Sequence, residues 1–136
     1  MLDTFKTPLV VAGRILLALM FVLSGFGKLM DIPGTTAYMA SGGLPASSAL
    51  VVLTGLVELL GGLAVMTGFY ARWAALVLAA FTLVASFLFH AYWSVPADQQ
   101  MITQLLFMKN IAATGGLLIL AALGPGPGSL GGRQSS

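Results

Sequence analysis

Four apolar blocks, at about residues 9–30, 48–67, 72–93 and 102–123, dominate the sequence, and each is about 20 to 22 residues long. Coiled as α-helices at about 1.5 Å per residue, they reach about 30 Å, the thickness of a bilayer's hydrocarbon core. The connections between them, MDIPGTTAYMASGGLPASS, GFYAR and SVPADQQ, are short and rich in glycine, proline or polar residues. The first is loop chemistry with room for one short interfacial turn around Thr36 to Met39, and the second is a tight hairpin at the membrane surface. The predicted fold is all-α, an integral membrane antiparallel four-helix bundle.

Composition closes off the alternatives. The chain is 58% hydrophobic and 7% charged, with a mean hydropathy of +0.98. So little charge cannot solvate the exterior of a water-soluble domain. Lipid must cover part of it, which makes the bilayer the first partner. The formal net charge is +2, and six Lys and Arg scattered along the chain offer no basic patch for nucleic acid. With no cysteine there is no disulfide framework, no thiol redox couple and no Cys-based metal or iron–sulfur site. The seven methionines are too dispersed for a copper path and act as gap-fillers, so no metal site is expected.

The chain divides into an N-terminal segment of residues 1–8, a four-transmembrane-helix domain over residues 9–124, and a flexible Gly/Pro/Ser tail over residues 125–136. The first block has Lys6 ahead of it, but its apolar core is too long for a cleaved signal peptide, Arg14 sits inside it and no Ala-x-Ala site follows. It is a retained helix. Lys6, Arg72 and Arg133 fall on one side of the membrane, against Lys28, Asp31 and Asp98 on the other. The positive-inside bias then places both termini in the cytoplasm. Tyr38, Tyr70, Trp73, Tyr92 and Trp93 fall near helix ends, as an aromatic belt requires.

The few polar residues inside these helices carry whatever function the sequence reveals. Glu58 lies near the middle of the second helix, Arg14 about two turns into the first, Lys109 with Asn110 about two turns into the fourth, and His90 close to the outer end of the third. Alternating helix directions set Glu58 and Lys109 at depths about 7 Å apart, which two long side chains can bridge. A Glu58–Lys109 or Glu58–Arg14 pair is therefore within reach. Arg14, Ala18, Phe21, Gly25 and Lys28 share one face of the first helix, and Gly55, Glu58 and Gly62 one face of the second. Ala79, Leu83, Ser86 and His90 form a stripe on the third, and Lys109, Ala112, Ala113 and Gly116 cluster on the fourth. Small residues beside each charge point to close packing with the charge turned inward.

The candidate polar-core or ligand-binding residues are thus Glu58, Lys109, Asn110, Arg14, His90 and Lys28. A charge near a helix centre costs at least about 2.5 kcal/mol to insert, which makes each a functional candidate. Each also has a plainer role open to it. Glu58 and Lys109 would serve as a structural ion pair with Asn110 as an amide partner. Arg14 would snorkel to the headgroups, Lys28 would anchor the interface, and His90 would be a hydrogen-bonded belt residue.

RILLALMFVLSGFGKLMD, GTTAYMASGGLP, VELLGG, TGFYARWAAL and MKNIAATGGLLILAALGPG together resemble the DoxX family of small bacterial four-helix membrane proteins, and within it a YphA-like subgroup. The resemblance runs from about residue 9 to about residue 133, and the matching positions are Arg14, Lys28, Glu58, Arg72, Lys109 and Asn110. It implies a multi-pass protein of the bacterial inner membrane with kinship to redox complexes. One branch resembles the membrane subunit of thiosulfate:quinone oxidoreductase, and others associate with soluble oxidoreductases. The absence of cysteine and of an appended domain sets this chain apart from those relatives.

The leading expectation is a quinone-interacting or redox-complex membrane subunit without its own redox cofactor. Lys109 and Asn110 would donate to a quinone carbonyl while Glu58 accepts or supplies the proton. A single histidine cannot give two axial ligands, so electrons would come from an oxidoreductase partner. Two alternatives stand beside it: a structural assembly subunit of a membrane complex, and a small proton-coupled transporter using Glu58. Arg14 and Lys28 on the first helix would repel cationic cargo. Four helices of this size bury little polar volume, which leaves a homodimer open.

Overall fold

In lipid each backbone N–H and C=O must be satisfied within its own segment, so apolar blocks of this length become helices. The computed structural model describes residues 2–41 and 47–130, and among these every regular element is helical. After a 3₁₀ turn at Leu2–Phe5, α1 spans Lys6–Met30, α2 spans Ile32–Ser41, α3 spans Ser48–Thr67 and α4 spans Ala71–Phe89. A second 3₁₀ turn at Tyr92–Ser94 leads into α5, Ala97–Leu123. Helices α1, α3, α4 and α5 are each long and apolar enough to cross a membrane.

Local chemistry sets where they start and stop. Ser47 is the N-cap of α3 and its Oγ accepts the Leu50 N–H at 3.1 Å. Gly68, at φ 82°, ends that helix in the left-handed conformation. The last turn of α5 leaves carbonyls without intrahelical donors, and Arg72 takes them up: its Nε donates to the Ala121 carbonyl at 2.8 Å and its Nη2 to that of Ala122 at 3.2 Å.

Packing rests on α1 lying antiparallel against α3 with almost no side chain between them. A Cβ on Gly25 would stand 2.5 Å from the Leu59 backbone nitrogen and 2.7 Å from the Gly55 carbonyl oxygen, and one on Gly62 would stand 3.0 Å from the Val22 nitrogen. Such close backbone approach is how helices associate in lipid, where burial of apolar surface gives no drive. Helix α4 packs extensively on α5 and less on α3, whereas α1 scarcely meets α5. The dry core, with Ala18, Phe21, Val65, Ala75, Leu78 and Leu117, lies toward the end that carries the N-terminus. Leu16, Leu23, Leu53, Leu60, Leu105 and Ile119 stay exposed on the outer faces, an exterior suited to lipid.

The helical bundle agrees with expectation, and several boundaries differ. The segment expected to be a loop with one turn is the ten-residue helix α2. Ile32, Thr35, Thr36 and Met39 give it a partly buried face, which tertiary packing rewards despite Pro33 and Gly34. α5 begins at Ala97, ahead of the apolar block, because Asp98, Gln99 and Gln100 continue a helix into water, with the acidic residue in the first turn where the dipole favours it. Hydropathy marks where lipid begins, not where a helix does. The tail expected to be flexible from residue 125 is held over residues 125–130: Pro125 is buried, the Leu130 N–H donates to the Thr67 carbonyl at 2.9 Å, and the Gly128 carbonyl accepts from Arg14 Nη2 at 2.7 Å. Residues 131–136, and with them Arg133, lie outside the described residues.

The α1–α3 contact generates a direct prediction. Gly25→Leu should lower the thermal unfolding midpoint in detergent by an amount equivalent to about 1–3 kcal/mol or more. Gly27→Leu, at a position where an added Cβ meets nothing within 4 Å, should leave the midpoint nearly unchanged.

Candidate functional site

Away from the dry core, packing gives way to a cavity of about 710 Å³. α1 contributes Met20, Phe21, Ser24 and Lys28; α3 contributes Leu50, Thr54 and Glu58; α4 contributes residues from Ala80 to His90; and α5 contributes Lys109 and Asn110. α2 brings Thr35, Tyr38 and Met39 to the same space, with the Tyr38 ring stacked on Phe89 at 5.4 Å between centroids. The rings of Phe87, Tyr92, Trp93 and Phe107 pack on one another and join the end of α4, the 3₁₀ turn and α5. Lys109 and Asn110 lie two and three residues after Phe107 along α5.

One charge pair is made inside this cavity. Lys28 Nζ donates to Glu58 Oε1, with Glu58 buried and Lys28 partly so. The Lys28 ammonium also sits 5.5 Å from the centroid of the Phe81 ring, whose face favours a cation. This corrects two expectations. Glu58 does not pair with Lys109 or Arg14, and Lys28 is not a free interfacial anchor. The depth estimate for Glu58 and Lys109 carried no lateral information: Lys28 lies one turn from Gly25 on the helix pressed against α3, while Lys109 comes from α5 across the cavity. Direction adds to this. Side chains lean toward the N-terminus of their helix, so Lys28, near the C-terminal end of α1, leans back into the membrane toward Glu58.

Across the cavity, Asn110, Thr82 and Lys109 have no side-chain hydrogen bond or ion pair to protein among the described residues. The Asn110 side chain is buried, and among the described residues no protein group bonds to its amide. The Thr82 hydroxyl is buried without a partner, while Ser86 Oγ donates to the Thr82 backbone carbonyl at 2.7 Å. Lys109 is exposed and forms no ion pair among the described residues. The half-buried His90 lines the same cavity.

The structure therefore brings Lys28, Glu58, His90, Lys109 and Asn110 to one cavity and leaves Arg14 out of it. Arg14 is buried near the opposite end, where Gly128 accepts from it and Nε and Nη1 have no partner. It leans toward that end as a snorkelling residue would, but the chain after α5 covers it. On α4 the buried stripe runs through Ala75, Ala79, Thr82 and Ser86, with the expected Leu83 exposed. On α5 it runs through Asn110, Thr114 and Leu117, one residue from the expected register, which leaves Lys109 at the rim. Thr82, Phe81 and the α2 wall had no separate signal in the sequence beyond a Thr and a Ser four residues apart.

The DoxX family model matches residues 9–91. The inner membrane protein YqjF of Escherichia coli (strain K12) is 40% identical over 121 residues, which cover 89% of this chain and 88% of that protein. YphA, an inner membrane protein of the same organism, is 33% identical over 125 residues, 92% of this chain and 89% of that one. A Surfeit locus protein 4 homolog of Drosophila melanogaster is 30% identical over 129 residues, and the match covers 39% of its length. No solved structure matches significantly.

The Lys28–Glu58 geometry predicts strong coupling. Lys28→Met should destabilise the folded protein in detergent by about 3–5 kcal/mol, because it leaves the buried Glu58 uncompensated, and Glu58→Leu by less, because the partly exposed Lys28 keeps some access to polar surroundings. The double variant should melt above both singles, a comparison that thermal unfolding of the four proteins makes directly.

Proposed function

The chain belongs to the DoxX family, and from that premise we propose that it is an inner-membrane protein that binds a quinone-class ring in this cavity and serves as the membrane subunit of a redox complex. A volume of about 710 Å³ suits a ring with the first part of an apolar tail, since ligand cavities run from about 300 to 1,000 Å³. The walls are apolar at Met20, Phe21, Leu50 and Leu88, and the convergent donors are few. The observation that carries this reading is that Lys109 and Asn110 line one cavity without side-chain partners among the described residues, while Glu58 opposite them is already neutralised by Lys28.

A quinone carbonyl accepts hydrogen bonds, and an ammonium beside an amide is a good donor set for it. Reduction to the quinol takes two electrons and two protons. The electrons would come from an oxidoreductase partner and the two protons from water, relayed one at a time through the Lys28–Glu58 pair on the facing wall. Lys28 and Lys109 on the same cavity speak against export of a cation, because both repel positive cargo. With Lys6 and Arg72 at the end that carries the N-terminus, the positive-inside bias orients that end to the cytoplasm and puts the cavity in the outer half of the membrane.

Protein purified from its own membranes in mild detergent should carry close to one quinone per chain in a quantified organic extract. Asn110→Leu, verified as folded, should retain roughly a tenth of that or less, as expected when a buried hydrogen-bond donor is lost. Wild-type protein free of quinone would contradict the proposal.

A further inference from the structure

The charges lining the cavity do not sum to zero. Lys28 and Glu58 cancel each other, and among the described residues no further carboxylate lines the space, so the ammonium of Lys109 is left over. Lys109 lies about 10 Å along α5 from Ile102, where the apolar block begins, and so inside the span and not at its end. An uncompensated ammonium at such depth is costly, and in membrane proteins such groups find an opposite charge. Its side chain leans toward the N-terminus of α5, along the cavity mouth where it is exposed. Behind it Asn110 lines the same cavity, and among the described residues no protein group is bonded to its side-chain amide. Ser86 uses its own proton on the Thr82 carbonyl and is not available to the cavity.

From this imbalance we infer that the cavity selects an amphiphile bearing a single negative charge, its head on Lys109 and Asn110 and its apolar body along Phe21, Leu50 and Leu88. This deepens the quinone reading and rests on it in one respect, the identity of the body. An acidic ring hydroxyl, ionised to an enolate, and a fatty carboxylate share the required head chemistry. Neutral ligands of the same shape gain the amide contact but leave the ammonium uncompensated. His90 is the other titratable group lining the space, and in its charged form it adds to the positive excess.

The test uses purified full-length protein in lipid nanodiscs, with protein-free nanodiscs subtracted, and four radiolabelled probes. These are a long-chain hydroxynaphthoquinone, its methyl ether, a saturated fatty acid and its methyl ester. The acids should bind wild type about tenfold or more tighter than their methylated counterparts, the gain of a charge-assisted contact. Lys109→Met should abolish that preference and Lys109→Arg should keep it. Lowering the pH through the hydroxynaphthoquinone's own acidity range should erase it, which a steric effect of the methyl group would not. Ring probes that bind with equal affinity as acid and ether would overturn the inference and leave the quinone reading standing. Fatty acid binding without ring binding would uphold the charge selection and overturn the quinone reading. No binding by any probe would overturn both.

Discussion

A carboxylate inside a bilayer takes the counter-charge that its nearest packed neighbour offers, and the closeness of α1 and α3 decides that neighbour here. Gly25, Gly55 and Gly62 let the two backbones approach closely. Lys28 is therefore the cation delivered to Glu58. Once that pair closes, Lys109 on the far wall has no partner to claim, and the cavity acquires its net positive charge. A larger residue at Gly25 would move the pair before it touched the cavity itself.

The same bundle has two unlike ends. Near the N-terminus Arg14 and the Thr67 carbonyl are hydrogen-bonded to the chain after α5, beside the left-handed Gly68, with Arg72 closing the last turn of α5. Toward the other end α2 and the aromatic cluster surround an open space. Helix direction distributes the charged residues between these ends. Arg14 leans toward the start of α1 and into the closed end, whereas Glu58 and Lys109, on helices that run the opposite way, lean toward the cavity.

Much of this was legible in the sequence. The lengths of the apolar blocks give the four spanning helices, and the 4, 3, 4 spacing of Arg14, Ala18, Phe21 and Gly25 gives the buried face of α1. The face of α3 through Gly55, Glu58 and Gly62 was equally plain. What the sequence withheld is lateral. Depth along an axis follows from residue counting, but which helix stands beside which does not, so depth alone makes Lys109 or Arg14 as good a partner for Glu58 as Lys28. The helix α2 was hidden because its stability comes from packing and not from propensity, and the ordered start of the tail was hidden because Gly126 and Gly128, with φ of 75° and 73°, look like flexible chain until a partner fixes them.

The most direct test of this account is an experimental structure of the protein taken from its native membrane into nanodiscs. The account predicts Lys28 on Glu58, and additional density in the cavity whose head lies within hydrogen-bond distance of both Lys109 Nζ and the Asn110 amide. A Glu58–Lys109 ion pair closing the cavity, with no space left between the walls, would contradict it.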